Sequence, residues 1–371
     1  MTFPQEIAQA TMRRALELAR RGLGSVEPNP AVGAVIVDDS GLMLGEGWHQ
    51  KFGGPHAEIH ALSATGDAAR GATLFVTLEP CCHFGKTPPC SQAVIAAGIR
   101  RVFVATRDPA PHVDGGGISE LRNAGIDVEI GLLEREATQL VAPFVQLTTN
   151  HRPWFHAKWA MSLDGKIAAN TGDSRWISNA ASRAVVHQLR GRMDAILVGI
   201  GTVLADDPML TARPAGPRTA LRIVVDSSAR LPLASQLVQT AAQVPVLVIV
   251  TPAAPSERCE AMRAAGVEVV VIESDLDGHP ALERVAEELG RRWLTNVLVE
   301  GGSGILGTFF DQKLIDEVHV FIAPKLVGGC GAMTPISGRG LDSIPGKPSL
   351  DNPMIEILDH DLYVHGHVCK V

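Results

Sequence analysis

Short apolar runs alternate with helix-like segments along nearly all of this 371-residue chain, and this alternation is the strongest constraint on its fold. In the first 150 residues, the runs that predict strands are 31–37, 42–48, 72–78, 101–105 and 127–130. The segments that predict helices are an amphipathic one within residues 1–24 and three others at 56–64, 90–97 and 132–147. Strands that alternate with helices are typical of a three-layer α/β/α domain.

A polar stretch at 148–153 interrupts the alternation and ends in Pro153. It predicts a boundary between a domain over residues 1–150 and a second over residues 151–371, and a chain of this length suits two domains better than one. The strands predicted in the second domain are 154–161, 195–198, 221–225, 244–250, 267–272, 296–299 and 317–322. Helices are predicted among them at 180–191 and 282–291, so this domain is also expected to be α/β.

The composition argues against several classes of partner. The net charge is −7 and aromatic residues make up 4% of the chain, which disfavours binding to nucleic acid. No apolar segment is long enough for a membrane span, and the N-terminal segment has the pattern of an amphipathic helix rather than of a signal peptide. Three of the six cysteines lie within residues 81–90, a clustering typical of metal ligands in a reducing compartment. We therefore expect a cytoplasmic protein without nucleic-acid or membrane partners.

His56, Glu58, Cys81 and Cys90 form the pattern that carries the most chemistry. A His, a Glu two residues later and a downstream Pro-Cys followed by a further Cys are typical of zinc-dependent deaminases. Two thiolates and one imidazole fill three corners of a Zn²⁺ tetrahedron and leave the fourth to water. Glu58 is then free to move protons during hydrolytic removal of an exocyclic amine.

The same residues also have a simpler interpretation as buried packing residues, which is the commoner role of a single Cys or His. The complete set in this order favours the metal site. Cys90 begins a predicted helix, so the helix dipole is expected to lower the pKa of its thiol. Cys82 and His83 adjoin Cys81 too closely to enter the same tetrahedron, and we expect them to lie around the metal site without binding the ion.

Residues 302–307 match the pattern G-x-G-x-x-G after an apolar strand and before a predicted helix. Backbone N–H groups at such a helix N-terminus suit a diphosphate. A tight turn that needs glycines with positive φ is the alternative. A dinucleotide-binding fingerprint should open its domain and be followed by an acidic residue about 20 positions later, and this run does neither. From the residues alone, both interpretations stay open.

Longer motifs give the chain a resemblance to a known family. They cover residues 27–33, 47–49, 54–58, 77–90, 160–166, 172–177, 204–208, 300–302 and 323–325. These motifs resemble those of the bifunctional deaminase–reductases of riboflavin biosynthesis. The resemblance extends over nearly the whole chain.

The resemblance implies a cytidine-deaminase-like domain followed by a reductase domain of dihydrofolate-reductase-like fold. The first domain would use Zn²⁺ to deaminate 2,5-diamino-6-ribosylamino-4(3H)-pyrimidinone 5′-phosphate. The second would use NADPH to reduce the ribosyl group to ribityl, giving 5-amino-6-(5-phosphoribitylamino)uracil. The partner is thus a small phosphorylated pyrimidine, and a homo-oligomer, either a dimer or a tetramer, is expected.

The motif matches also imply individual site residues. His56, Cys81 and Cys90 would bind the metal, and Glu58 would be catalytic. As a separate hypothesis, Lys158 orients the ribose carbonyl for hydride delivery and Glu300 donates or relays a proton. The implied NADPH contacts are Ala160, Trp176, Thr202, Asp206, Ser227, Gly302, Ser303, Gly304, Ile305, Leu306, Gly307 and Thr308. The implied substrate contacts are Asn29, His49, Lys86 and Asp108 in the first domain and Ser174, Arg190, Leu210, Arg213 and Glu300 in the second.

One position departs from the family pattern. The family has Asp-Pro-Asn-Pro where this chain has Asp108-Pro109-Ala110-Pro111. The Asn of the family pattern contacts the substrate, and Ala110 cannot make that hydrogen bond. Losing one hydrogen bond typically costs about 0.5–1.5 kcal/mol, so activity should survive.

Two other functions remain as alternatives. One is a nucleotide or tRNA deaminase with an unrelated appended domain, which the acidic balance and the wide spacing of Cys81 and Cys90 disfavour. The other is a non-catalytic pair of binding domains, which the intact set of ligands and Glu58 disfavours.

Overall fold

The computed structural model describes residues 3–84, 88–108 and 115–369. The chain divides into two compact units, Met1–His151 and Arg152–Val371, one residue beyond the predicted boundary. Lys86 and Ala110 lie outside the described residues. Among the residues described, no helix combines the length and the apolar character needed to cross a bilayer.

The N-terminal unit alternates helices and strands. In chain order it contains α1 (Gln5–Arg20), β1 (Gly33–Val37), β2 (Met43–Trp48), α2 (Ala57–Thr65), β3 (Thr73–Leu78), α3 (Cys90–Ala96), β4 (Arg101–Thr106), α4 (Gly116–Asn123), β5 (Asp127–Ile130) and α5 (Glu134–Asn150). Its described strands form a sheet in the order β2-β1-β3-β4-β5, in which β1 is antiparallel to both neighbours and β3, β4 and β5 are parallel. All five predicted strands are confirmed, with ends within two residues, whereas α4 was not predicted.

Both faces of this sheet are covered by helices. On one face, Val35, Phe75 and Phe103 pack with apolar residues of α1 and α5. On the other, Ile36 and Leu74 pack with α2, α3 and α4. Alternate residues of each strand therefore enter two separate cores, and the predicted three-layer α/β/α architecture is confirmed.

The C-terminal unit has the same rhythm on a larger scale. In chain order it contains β6 (Trp154–Ser162), α6 (Ala180–Arg190), β7 (Ala195–Gly199), α7 (Ile200–Asp206), β8 (Leu221–Val225), α8 (Gln236–Gln239), β9 (Val246–Val250), α9 (Ser256–Ala264), β10 (Glu268–Val271), α10 (Leu282–Arg291), β11 (Asn296–Glu300), α11 (Ser303–Asp311), β12 (Glu317–Ala323), β13 (Leu350–Leu358) and β14 (Asp361–Val368). The seven predicted strands are confirmed as β6 to β12.

The described strands of this unit form one sheet in the order β10-β9-β8-β7-β11-β6-β12-β14-β13. Strands β6 to β12 run parallel to their neighbours, and β14 and β13 extend the sheet in antiparallel fashion. The apolar alternation in the sequence did not predict this C-terminal hairpin. Most side chains of β13 are exposed, so it lacks the buried apolar run that marks the other strands.

The parallel strands are apolar on both faces. Ile196 and Leu298 belong to one core, and Leu197 and Val299 belong to the other. The face of the sheet that carries Leu298 becomes polar at the neighbouring strand β6. There, the buried polar residue His156 pairs in register with Leu298. Lys158 and Glu300, two residues further along β6 and β11, lie on the same face and pair in register.

A candidate metal centre and a candidate cofactor cleft

The ends of three elements bring His56, Cys81 and Cys90 together. His56 immediately precedes α2, Cys81 follows β3, and Cys90 is the first residue of α3. The Nδ1 atom of His56 is 3.6 Å from Sγ of Cys81 and 3.3 Å from Sγ of Cys90. The backbone N–H of Cys90 also donates to Sγ of Cys81 at 3.4 Å.

These distances fit a tetrahedral zinc ion. Zinc bonds of about 2.0–2.1 Å to nitrogen and 2.3 Å to sulfur place ligand atoms roughly 3.3–3.8 Å apart. All three ligand atoms lie within 4.8 Å of one another. Cys82 and His83 do not belong to this group of metal-binding atoms among the described residues, which agrees with their predicted exclusion from the tetrahedron.

The two cysteines differ in acidity. The hydrogen bond from Cys90 and the nearby His56 together lower the pKa of Cys81 to about 4, against the effect of burial. The same hydrogen bond raises the pKa of Cys90, because Cys90 holds the proton, and burial and Glu58 act in the same direction. The sequence predicted that the helix N-terminus lowers the pKa of Cys90, whereas contact with Cys81, burial and Glu58 act in the opposite direction.

Glu58 lies in the first turn of α2 and is almost completely buried. Burial raises the pKa of its carboxyl group to about 7, although the charge of His56 opposes this shift. A group that titrates near neutrality can both accept and donate a proton at physiological pH.

His49 lies beside the candidate metal ligand His56, and Asn29 contacts His49, and both remain predicted substrate contacts. Nδ1 of His49 donates to the carbonyl of Pro55 at 3.0 Å, so in the neutral ring its Nε2 accepts from Nδ2 of Asn29 at 3.3 Å. Burial lowers the pKa of His49, which keeps the ring neutral. The rings of His49 and His56 meet edge to face at 5.2 Å.

Glu79 is a buried residue to which the sequence assigned no role. Its carboxylate accepts from the backbone N–H groups of Asp108 at 3.4 Å, Gly115 at 3.2 Å and Ile118 at 3.0 Å. Asp108, a predicted substrate contact, is itself buried here. Glu79 therefore binds the chain on both sides of residues 109–114, which lie outside the described residues. A side chain that binds only backbone amides leaves no pattern in the sequence.

The C-terminal unit contains a cleft of about 950 Å³. The predicted site residues that line it are Lys158, Ala160, Ser174, Trp176, Arg190, Thr202, Asp206, Leu210, Arg213, Glu300, Gly302, Ser303, Gly304 and Ile305. Four predicted cofactor contacts do not line it, namely Ser227, Leu306, Gly307 and Thr308. Leu306 is fully buried in the apolar core, and the Ser227 hydroxyl contacts His279 at 3.2 Å.

Buried charges meet at the cleft floor. Arg190 binds Glu300 through two parallel hydrogen bonds, from Nε at 2.6 Å and from Nη2 at 2.9 Å. Nζ of Lys158 lies 3.6 Å from the same carboxylate. Burial alone would raise the pKa of Glu300, but Arg190 and Lys158 outweigh it and hold that pKa at about 2. Burial lowers the pKa of Lys158, and Arg190 adds to the effect, while Glu300 opposes it.

Gly301 and Gly302 lie between β11 and α11, and the other glycines of this glycine-rich segment, Gly304 and Gly307, lie within α11. Gly302 has φ −72°, and none of the segment's glycines has a positive φ, so the tight-turn interpretation does not explain them. A Cβ atom on Gly304 would meet nothing within 4 Å, which leaves open space at the helix N-terminus. The N–H of Gly302 is held by the Thr202 hydroxyl at 3.2 Å. This geometry fits the phosphates of a dinucleotide.

His187 on α6 also lines the cleft and was not predicted. Its Nδ1 accepts from the backbone N–H of Arg213 at 3.2 Å and so positions that loop residue. Burial lowers the pKa of His187, and Arg190 and Arg213 lower it further. Of the five N–H groups of Arg190, three bind Glu300 and the Thr211 carbonyl. Arg213 is therefore the freer of the two arginines predicted to bind phosphate.

Comparison with known families agrees with the two sites. Residues 5–106 match the family described as the cytidine and deoxycytidylate deaminase zinc-binding region. Residues 153–363 match the family described as the RibD C-terminal domain. The first match contains all three candidate zinc ligands, and the second contains every residue that lines the cleft.

Full-length relatives carry the same combination. The chain is 43% identical to the riboflavin biosynthesis protein RibD of Actinobacillus pleuropneumoniae, over 95% of this chain and 93% of that protein. It is 40% identical to RibD of Aquifex aeolicus, over 97% and 98%. A solved deaminase/reductase structure from Thermotoga maritima matches with a TM-score of 0.84 and 38% identity, over 98% and 99%. RibD of Acinetobacter baumannii, form 1, matches with a TM-score of 0.83 and 35% identity, over 99% and 100%.

Proposed function

The chain belongs to the RibD family of bifunctional deaminases and reductases of riboflavin biosynthesis, and we propose that its N-terminal unit performs the deamination and its C-terminal unit the reduction. The Thermotoga relative is described as a diaminohydroxyphosphoribosylaminopyrimidine deaminase and 5-amino-6-(5-phosphoribosylamino)uracil reductase. The same two substrates are proposed here. The observation that carries the proposal is that one chain contains two such sites. The first is a Cys₂His group, with the spacing of zinc ligands, beside the buried Glu58. The second is a cleft lined by glycines that contains the Lys158–Glu300 pair.

In the deaminase unit, zinc held by His56, Cys81 and Cys90 supplies a Lewis acid for activation of water. Glu58 accepts the proton of that water and returns protons to the ring nitrogen and to the departing ammonia. The Nδ2 of Asn29 is engaged by His49, which leaves the Asn29 amide oxygen to accept from the substrate. Asp108 remains a predicted substrate contact, as does Lys86.

In the reductase unit, NADPH supplies the reducing equivalent for the sugar carbonyl. Gly302, Ser303 and Gly304 receive its phosphates at the N-terminus of α11, and Ala160 and Trp176 remain predicted contacts at the cleft wall. Because Glu300 stays ionised far below neutral pH, it is not the proton donor. Lys158 protonates the sugar oxygen, and Glu300 holds it in place.

The substrate phosphate is assigned to the opposite wall of the cleft. Arg213 binds it with the free N–H groups of Arg190, because guanidinium groups suit the planar arrangement of phosphate oxygens. Ser174 and Leu210 complete this wall as predicted substrate contacts.

A cytoplasmic homo-oligomer is proposed, with no nucleic-acid partner. All six cysteines are unpaired, as in a reducing compartment. Strand β13 has one neighbour in the described sheet and exposes Met354, Ile355 and Ile357, which a second copy of this chain would cover. Light scattering coupled to size exclusion measures the mass, and a monomer at micromolar concentration would contradict this part of the proposal.

The division of reactions is tested with the full chain and the diaminopyrimidine phosphate. Ammonia release should precede NADPH oxidation, and omission of NADPH should leave ammonia release unchanged. The parallel substrates are dCMP and tRNA, and release from either one instead would favour the alternative deaminases. Absence of both ammonia and bound zinc would favour a non-catalytic pair of domains.

A further inference from the structure

A second group of metal-binding side chains lies in the C-terminal unit, and we propose that it holds a structural zinc ion. The group consists of His156 on β6, Glu317 and His319 on β12, and His367 on β14. Register pairs His156 with Glu317 and Glu317 with His367, so the residues lie side by side on one face of three neighbouring strands. None of them is among the described residues that line the cofactor cleft.

The ligand atoms have the spacing of a metal site. Nδ1 of His156 lies 3.3 Å from Nε2 of His319 and 3.2 Å from one carboxylate oxygen of Glu317. Nε2 of His319 lies 3.4 Å from the other carboxylate oxygen of Glu317. Tetrahedral zinc with nitrogen and oxygen ligands at about 2.0–2.2 Å holds those atoms roughly 3.3–3.6 Å apart. His367 Nε2 is 3.6 Å from Glu317 and is the nearest candidate for the fourth ligand.

The partners on the far side of both rings allow each lone pair to point into the group. Nε2 of His156 faces the amide oxygen of Asn296 at 3.1 Å, and an oxygen can only accept, so this nitrogen carries the proton. His319 Nδ1 faces the Tyr363 hydroxyl at 2.7 Å, which can accept in the same way. Metal-binding histidines typically donate their other N–H to an oxygen in this manner.

This arrangement leaves an excess of acceptors at one point. Two ring nitrogens and two carboxylate oxygens converge, and the N–H donated to the carboxylate from outside the histidines is that of Trp154, at 3.3 Å from Glu317. Lone pairs that face each other in a buried site repel unless a cation lies between them. A proton on one ring relieves the contact between the two nitrogens, whereas a divalent ion relieves all of them together.

The donor set and the burial select the ion. Imidazole nitrogens with one carboxylate suit zinc, whereas magnesium and calcium prefer sites made of oxygens alone. His156 and His319 are 5% and 1% exposed, and the side chains of Glu317 and His367 are 15% and 22% exposed, so the first two are buried and His367 lies nearer the surface. A metal here would tie together β6, β12 and β14 and so fasten the C-terminal hairpin to the parallel sheet.

The test is the zinc content of the untagged full chain, measured by inductively coupled plasma mass spectrometry. We expect two zinc ions per chain in the wild type. His319→Gln and Glu317→Gln should each leave one ion, bound at the deaminase site, with ammonia release retained. His56→Ala should also leave one, and combining it with His319→Gln should leave none.

His365 provides the matched control. It lies on the same strand and the same face as His367 and stacks on Tyr363, but its Nε2 faces Glu356 at 3.2 Å. His365→Gln should therefore keep both ions. A chelator that removes the second ion should lower the melting temperature of the wild type and of His365→Gln but not that of His319→Gln.

The outcome that overturns the proposal is a single zinc ion in the wild type that His56→Ala abolishes, with none regained in excess zinc. The group would then be a proton-sharing network. Cobalt(II) added to His56→Ala gives a measurement that does not depend on folding of the cluster variants. A tetrahedral spectrum without thiolate charge transfer supports the site, and absence of bound cobalt contradicts it.

Discussion

The deaminase centre and the reductase cleft are built in opposite ways. At the deaminase centre, three ligands and one base come from a single stretch of chain between His56 and Cys90, and each lies at the end of an element. At the cleft, Lys158 and Glu300 come from strands far apart in the sequence and meet because β6 and β11 pair in register. The residues of the deaminase centre lie close together in the sequence, whereas those of the cleft are brought together by the pairing of distant strands.

The difference extends to electrostatics. At the deaminase centre, the pKa of a group depends strongly on its nearest neighbour. Contact between the two thiols lowers the pKa of Cys81 and raises that of Cys90. The cleft instead fixes its charges, because Glu300 is held ionised between Arg190 and Lys158. The first arrangement suits proton transfer by the carboxylate, and the second suits a permanently charged support for a lysine.

The largest effect is expected from Glu58→Gln, which keeps the shape of the side chain and removes its proton transfer. Ammonia release should fall by about 10²–10⁴-fold, the usual contribution of a general acid–base. Reduction of the supplied deaminated intermediate should be unchanged, and so should zinc content. Oxidation of NADPH, measured by its absorbance, is the internal control. If both activities fall together, the two sites are not independent.

The second prediction concerns Glu300→Gln, which tests whether the cleft depends on fixed charge. Loss of the carboxylate leaves Arg190 and Lys158 buried without their anion, and breaking such a pair costs about 3–5 kcal/mol of unfolding free energy. Glu300 raises the pKa of Lys158, so its removal should lower that pKa further. The alkaline limb of the reductase pH profile should therefore move to lower pH.

The stability of the wild-type protein depends on pH through Glu300, and the sign of this dependence follows from the shift of its pKa. Its pKa is lowered from 4.5 to about 2, so its contribution to stability is fully present above pH 4.5 and is lost as the pH falls through 2. Glu287→Gln is the control, because Glu287 pairs with Arg284 on the surface. An unmoved alkaline limb in Glu300→Gln would exclude Lys158 as the proton donor.

The sequence predicted those parts of the molecule that carry a recognisable pattern of residues, either an apolar run or a characteristic spacing of ligands. The central parallel strands, such as β7, β9 and β11, are buried on both faces, so they form apolar runs with recognisable ends. The candidate zinc ligands could be predicted because Cys and His at this spacing have few other uses, and the structure brings their side chains together. Helix α4 was missed because three glycines at 115–117 open it, and the exposed strand β13 lacks an apolar run.

The remainder depends on contacts that no spacing encodes. The glycine motif implied Leu306 as a cofactor contact, but α11 begins at Ser303 and turns Leu306 into the core. Arg190 was predicted to bind phosphate, and the structure shows most of its donors on Glu300 and Thr211. His187 and Glu79 act on backbone N–H groups, which every residue but proline offers.

A smaller effect on the deaminase is expected from Glu79→Gln. The amide keeps one acceptor oxygen but loses the charge that serves three backbone N–H groups, and hydrogen bonds to a charged group contribute about 1.5–3 kcal/mol. The KM for the deaminase substrate should rise more than kcat falls, while the reductase is unaffected. Glu129→Gln, an exposed carboxylate on β5, is the matched control. Equal changes in both variants would contradict a role for Glu79 in positioning Asp108.

The smallest effect is expected from Thr202→Val, which removes the hydroxyl that holds the N–H of Gly302 while preserving side-chain shape. One neutral hydrogen bond contributes about 0.5–1.5 kcal/mol, so the KM for NADPH should rise roughly 2- to 10-fold with kcat nearly unchanged. Thr202→Ser keeps the hydroxyl and should restore the wild-type value. Because Thr202 lies in the C-terminal unit, ammonia release by the N-terminal unit should not change. A loss of kcat without a change in KM would show that the glycine segment acts on the chemical step and not on cofactor binding.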